Sequence, residues 1–145
     1  MTIAPFDGSI ALIRRTEPSY SSWLACWHDQ SECLEFIVSP RLGQESYRDC
    51  LSREIAWTLR LARDRDYLVS SVARLHYESH ELTVEFFVVE PYGKSFHQLI
   101  DANSSARWVR RHELENRRTD DGLAVSDGLC ELLFAADVLP YDFNF

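Results

Sequence analysis

The sequence predicts an α+β or mixed α/β domain, and three observations predict it. Short runs rich in β-branched and aromatic residues recur along the chain. One long stretch between them carries apolar residues at helical spacing. A second apolar helical stretch lies near the C-terminus. The strands come as hairpins rather than as regular strand–helix–strand repeats, which fits a layered sandwich of strands and helices. At 145 residues and with no visible repeat or linker, 1–145 reads as a single domain.

Ser9 to Arg15 (SIALIRR) reads as the first strand and Ser22 to His28 (SWLACWH) as the second. Asp29, Gln30, Ser31 and Glu32 form a polar turn into a third strand, Cys33 to Val38 (CLEFIV), so these two runs fit a hairpin. Ser39 to Gln44 is a loop by its Pro40 and Gly43. From Glu45 to Arg63 the period changes: Tyr47, Cys50, Leu51, Ile55, Leu59 and Ala62 recur at helical spacing, and Asp64 to Asp66 close the helix. Val69 to Tyr77 and Leu82 to Val89 (LTVEFFVV) read as two more strands, with Ser79, His80 and Glu81 as their turn. Lys94 to Ala106 reads as irregular. Arg107 to Arg110 is a short strand or a helix lead-in. Ser126 to Leu139 is an amphipathic helix with Ser126 as N-cap and Pro140 as its stop. The aromatic tail, Pro140 to Phe145, is expected to pack back on the domain or dock on another chain.

The apolar fraction of 46% permits a real core, and the 26% charged fraction is ordinary for a globular chain. A net charge of −8 repels phosphate backbones and argues against general nucleic-acid binding. Arg107, Arg110, Arg111, Arg117 and Arg118 cluster, but Glu113, Glu115, Asp120 and Asp121 sit among them and balance the charge. Cys26, Cys33, Cys50 and Cys130 match no zinc spacing. Cys26, Cys50 and Cys130 fall in apolar stretches, where cysteine behaves as a small hydrophobe. No signal-peptide pattern opens the chain and no apolar run is long enough to cross a membrane. A reduced, cytoplasmic setting without membrane association is the expectation.

Scattered histidines form no HxH or HExxH pattern, and no GxSxG marks a serine nucleophile. Trp23 and Trp27 stand four apart on one strand and share a face. Trp108 is expected in the core.

The chemistry-bearing segment is Ser39 to Leu61, SPRLGQESYRDCLSREIAWTLRL. It resembles the box of the Nudix hydrolases, whose pattern is Gly, five residues, Glu, seven residues, then Arg-Glu-apolar-x-Glu-Glu-x-Gly-apolar. Glu45, seven residues, then Arg53-Glu54-Ile55 match its middle, and Leu61 matches its final apolar position. Arg107-Trp108-Val109 and the last helix resemble the family's closing elements. The resemblance implies a Nudix-like α/β/α sandwich with a mixed sheet. It also implies hydrolysis of a nucleoside diphosphate linked to another group, with Mg²⁺ or Mn²⁺ neutralising the charged leaving group and orienting water. In the family one helix supplies the metal's carboxylates at i, i+3 and i+4, positions that share a helical face. Residues matching Glu45 and Arg53 pair and hold the loop on that helix.

This sequence departs from the pattern where the metal would bind. Glu54 is present, but the next two ligand positions are Trp57 and Thr58. Trp has no oxygen to offer and Thr offers one neutral oxygen. The box's first Gly is Ser39 and its late Gly is Arg60, which suggests a changed loop and helix end. Glu45, Arg53 and Glu54 are the candidate catalytic set. Trp57, Thr58 and Arg60 are candidate ligand or partner contacts. Glu85 and Glu90 are the acids that could join Glu54 in a rebuilt metal site.

Two function classes follow from these residues. One is a non-catalytic or weakly catalytic module that binds a nucleotide-like ligand, a protein partner or a second copy of itself. The other is a divergent Mg²⁺- or Mn²⁺-dependent hydrolase. An acidic protein-interaction domain without a small ligand is a third, weaker reading.

Overall fold

In the computed structural model, residues 5–140 are described. The expectation about the tail therefore lies, from residue 141 on, outside the described residues.

The first strand, β1 (Phe6–Thr16), is the middle of a mixed eight-stranded sheet. Its centre, Ile10-Ala11-Leu12-Ile13, is buried throughout rather than alternately. A strand covered on both faces reads as a continuous apolar run, and that is the case here. Ile10 and Leu12 enter one core, with Ala11 and Ile13 in a second. Successive side chains point to opposite faces, so one strand feeds both.

β2 (Ser21–His28) pairs antiparallel with β1, and β3 (Cys33–Glu35) pairs antiparallel with β2. β4 (Val38–Pro40) leaves β3 and pairs antiparallel with β1 instead. The single strand expected over Cys33 to Val38 is thus two, because the chain crosses from one neighbour to the other at Phe36 and Ile37. β5 (Tyr67–Val69), β6 (Leu75–Ser79) and β7 (Leu82–Pro91) complete that side of the sheet. β7 runs parallel to β1, from Phe6 opposite Leu82 to Ile13 opposite Val89. β5 and β6 both pair antiparallel with β7, so the strand expected over Val69 to Tyr77 is interrupted at 70–74. β8 (Ala106–Arg110) lies antiparallel to β2.

Helix α1 (Tyr47–Leu59) covers one face of the sheet. Ser46 caps it, its Oγ accepting the Asp49 N–H at 3.0 Å. Cys50, Leu51, Ile55 and Leu59 face inward and share a core with Ala11, Ile13, Tyr67, Phe87 and Val89. The helix ends at Arg60, earlier than Arg63, because Arg60 takes the left-handed conformation with φ 59°. A helix end of this kind is usually built on glycine. Here an arginine occupies it.

Short helix α2 (Ser95–Asp101) forms where an irregular segment was expected, burying Phe96 and Ile100. Helix α3 (Arg111–Asn116) follows β8 directly, so Arg107 to Arg110 is both a strand and a helix lead-in. Helix α4 (Asp127–Ala136) covers the opposite face of the sheet, and Leu129, Cys130, Leu132 and Leu133 pack with Ile10, Leu12, Phe36 and Phe86. Ser126 caps it as expected, through the Leu129 N–H at 3.3 Å. Its end is Asp137 in the left-handed conformation rather than Pro140.

The layers are therefore helix, sheet, helix. Trp23 is buried in the α4-side core and Trp27 packs against the same core, so the two share a face. Trp108 is half-buried beside the α1-side core under the Arg15 guanidinium, which lies 4.7 Å from its ring centre. The four cysteines are free and buried, and burial pushes the Cys26 and Cys130 thiols up to about 11. Among the described residues no helix is long and apolar enough to cross a membrane.

Candidate functional site

The loop before α1 is held by the pair that the resemblance implies. Arg53 Nη2 donates to Glu45 Oε1 at 2.9 Å and to the Pro40 carbonyl at 2.8 Å. Glu45 Oε1 also accepts the Leu42 N–H at 2.8 Å. One helical arginine therefore clamps two points of the loop. The Arg53 guanidinium, together with the Leu42 amide, holds the Glu45 carboxyl below its ordinary range.

Ser39, at the box's first Gly position, is buried, and its Oγ donates to the Cys50 carbonyl at 2.7 Å. Gly8 explains how the strands approach there. A Cβ on Gly8 would sit 2.0 Å from the Ser39 carbonyl oxygen, so β1 and β4 meet at a point only glycine allows.

Glu54 and Thr58 stand four apart on α1 and face the same way, with Thr58 Oγ1 3.4 Å from Glu54 Oε1. Both line a cleft of about 580 Å³, within the range of small-molecule sites. Phe6 and Ile37 give it apolar wall, while His28 and Glu35 contribute polar groups. Trp57 turns away from this cleft and is 84% exposed. It therefore does not fill the space, and instead borders a second depression, of about 520 Å³, with Arg53, Glu54 and Ala56. Arg60 is exposed at the helix end.

The acids considered as replacements for the missing ligands are occupied elsewhere. Glu85 Oε2 lies 3.2 Å from His76 Nδ1 on the neighbouring strand. Glu90 Oε1 accepts from Arg14 Nη2 at 2.6 Å. Neither lines the cleft with Glu54. Toward a hard divalent ion the helix thus presents one carboxylate and one neutral hydroxyl. This donor set does not fit the three-carboxylate centre that the resemblance implies.

Elsewhere, ligand atoms of His112, Glu113 and Asp120 lie within 4.8 Å of one another. Glu113 has both oxygens engaged by backbone, accepting the Arg110 and Asp120 N–H groups at 2.9 Å. That grouping staples α3 to the following loop. Of the arginines around it, Arg107 pairs with Asp121 and Arg111 with Glu115, as expected, while Arg117 pairs with Asp127, outside the acids named from the sequence.

Glu35 is the site residue that sequence reasoning missed. It is the one charged residue in the run Cys33 to Val38, and it is only 3% exposed. Among the described residues its Oε1 has no hydrogen-bond partner. Its Oε2 lies 3.5 Å from Nδ1 of half-exposed His28. The signal was a glutamate interrupting an apolar run, on the side of the strand that faces α1.

No protein-family model matches the sequence, and no curated protein matches it. Solved structures do. A Nudix hydrolase from M. smegmatis superposes with a TM-score of 0.58 at 13% identity, covering 94% of this chain and 90% of that one. A protein described as a Nudix hydrolase from Listeria monocytogenes gives 0.55 at 12% identity, with 89% and 90% covered. The Ap4A hydrolase of C. elegans gives 0.53 at 13% identity, with 90% and 96% covered. At these identities the likeness is one of fold, and the fold is a divergent Nudix-like one.

Proposed function

We propose that this chain is a Nudix-like module that binds a nucleotide-like ligand in the cleft beside α1 and hydrolyses it slowly or not at all. One observation carries the reading. Of the three helix positions that should present carboxylates to the cleft, Glu54 alone does so, while Thr58 offers a hydroxyl and Trp57 points to solvent. The scaffold around that deficit is intact, since the Glu45–Arg53 clamp and the left-handed turn at Arg60 persist. A kept cleft with a reduced metal centre supports binding over turnover. One structural neighbour is by name a hydrolase of a dinucleotide, which supports a nucleotide-like occupant.

The test is phosphate and pyrophosphate release from nucleoside triphosphates, dinucleotide cofactors and nucleotide sugars, each with Mg²⁺ and with Mn²⁺. The Glu54→Gln variant is the control. The expected result is turnover that is absent or only just above the Glu54→Gln background. Turnover that disappears in the variant would instead establish a divergent metal-dependent hydrolase.

A second reading has its own observation. Trp57 is a large aromatic exposed on a helix, a residue type that commonly anchors protein contacts. Under this reading the α1 surface docks a protein partner or a second copy. Analytical ultracentrifugation of the wild type and Trp57→Ala over a concentration series tests the second-copy case. A self-association lost in the variant supports it, and an unchanged monomer rejects it.

A further inference from the structure

The cleft contains a feature that the reduced metal centre does not explain. Glu35 is buried, yet Oε1 has no partner among the described residues and Oε2 has only His28 Nδ1, at 3.5 Å. That separation is too long for a good hydrogen bond. Buried carboxyl groups are ordinarily paired, and an unpaired one is destabilising. Glu35 sits on β3, on the side of the sheet that faces α1, and lines the same cleft as Glu54 and Thr58. His28 is half-exposed and its contact with Glu35 is long, so an entering group displaces no strong contact.

The rest of the lining narrows the ligand. Among the described residues it includes no Lys or Arg, so the lining suits a base rather than its phosphates. Its walls include Phe6, Phe36, Ile37 and Val38, which suit a flat ring. A carboxylate lining such a cleft accepts hydrogen bonds and donates none. It favours a ring edge with adjacent N–H groups and disfavours one with an acceptor there.

We infer that Glu35 is the specificity-determining residue of the cleft, selecting a heterocycle with two adjacent N–H donors, the arrangement guanine presents at N1–H and its exocyclic amine. This rests on the cleft being a nucleotide-like binding site. Adenine places an acceptor at N1 and is disfavoured. Hypoxanthine keeps N1–H but lacks the second donor, and is intermediate.

The experiment is calorimetric titration of the full chain with GMP, IMP, AMP and CMP. EDTA is present so that a metal held by Glu54 cannot create a preference. Wild type is expected to bind GMP about ten- to a hundredfold more tightly than AMP, the discrimination of a two-point hydrogen bond, with IMP between them. Glu35→Gln, which replaces one accepting oxygen with a donor, is expected to bring the GMP and AMP affinities within about threefold, as loss of that two-point contact requires. Binding of all four nucleotides without preference, or a preference unchanged in Glu35→Gln, overturns the inference and leaves the cleft as a nucleotide site. Absence of binding by any of the four overturns the cleft reading itself, and this inference with it. Thermal unfolding of Glu35→Leu without ligand is an independent check. Removal of an unpaired carboxyl is expected to raise Tm, and a lower Tm would show that Glu35 already has a structural partner and overturn the inference.

Discussion

Gly8 and Arg60 are two positions where the backbone, not the side chain, decides what is tolerated. At Gly8 the obstacle is the Ser39 carbonyl oxygen, 2.0 Å from where a Cβ would lie. That oxygen belongs to a strand paired with β1 and cannot swing aside. Gly8→Ala is expected to destabilise the fold by at least about 2 kcal/mol in urea unfolding, the scale of forced overpacking. Arg60 is the reverse case. It holds φ 59° at the end of α1, a conformation that strains a residue with a Cβ. Arg60→Gly is expected to stabilise by about 1 kcal/mol in the same assay. A loss of stability would mean that the arginine side chain compensates for the strain. Trp57, exposed to 84%, is expected to be nearly silent. Trp57→Ala should change stability by less than about 0.5 kcal/mol, as is usual for surface sites.

At the scale of elements, two charge clusters tie neighbouring segments together and respond to pH with opposite signs. The loop before α1 hangs on Glu45, whose carboxyl lies below its ordinary value because of Arg53 first and the Leu42 amide second. A lowered carboxyl stabilises the fold fully above its unfolded value of about 4.5. That contribution disappears as pH falls through the lowered folded value. Glu45→Gln is therefore expected to be less stable than wild type at neutral pH and to converge with it in acid, as read by Tm against pH. The β6–β7 hairpin carries the converse. His76 lies between Glu78 and Glu85, which raise its imidazole above the ordinary 6.5. Its contribution is complete below 6.5 and is lost as pH rises through the raised value. His76→Gln should remove a small alkaline-side loss of Tm, small because the pair is exposed.

Across the whole molecule, β1 is the shared wall of both cores. It bonds to β2, β4 and β7 and sends alternate residues to the α1 side and the α4 side. Opening β1 breaks both cores at once. Amide exchange at Ile10 to Ile13 is therefore expected to be the slowest in the chain and to report global unfolding. Faster exchange there than in α4 would show that the two faces open independently. The clamp, the capped helix and the cleft walls belong to this scaffold, whatever chemistry the cleft performs.

Much of the frame was legible without coordinates, because it depends on local signals. The helical spacing of Cys50, Leu51, Ile55 and Leu59, the cap at Ser126 and the β2–β3 turn each act over a few residues, and the Glu45–Arg53 pair came from the resemblance. What was not legible depends on partners far apart in sequence. The run Cys33 to Val38 divides because β4 finds β1 rather than β2. Val69 to Tyr77 divides because β5 and β6 take separate stretches of β7. α2 forms because Phe96 and Ile100 meet the core under α1, which periodicity across a short segment does not announce. The site follows the same rule. The sequence by itself determined that α1 carries one carboxylate among positions 54, 57 and 58, which share a face by their spacing and for which the resemblance implies three. Only the tertiary structure decided that Trp57 faces solvent, that Glu85 and Glu90 are held by His76 and Arg14, and that Glu35 shares the cleft with Glu54. The physical reason is that a helix repeat fixes which residues share a face, whereas the strand crossing at Phe36 and Ile37 fixes which face meets which.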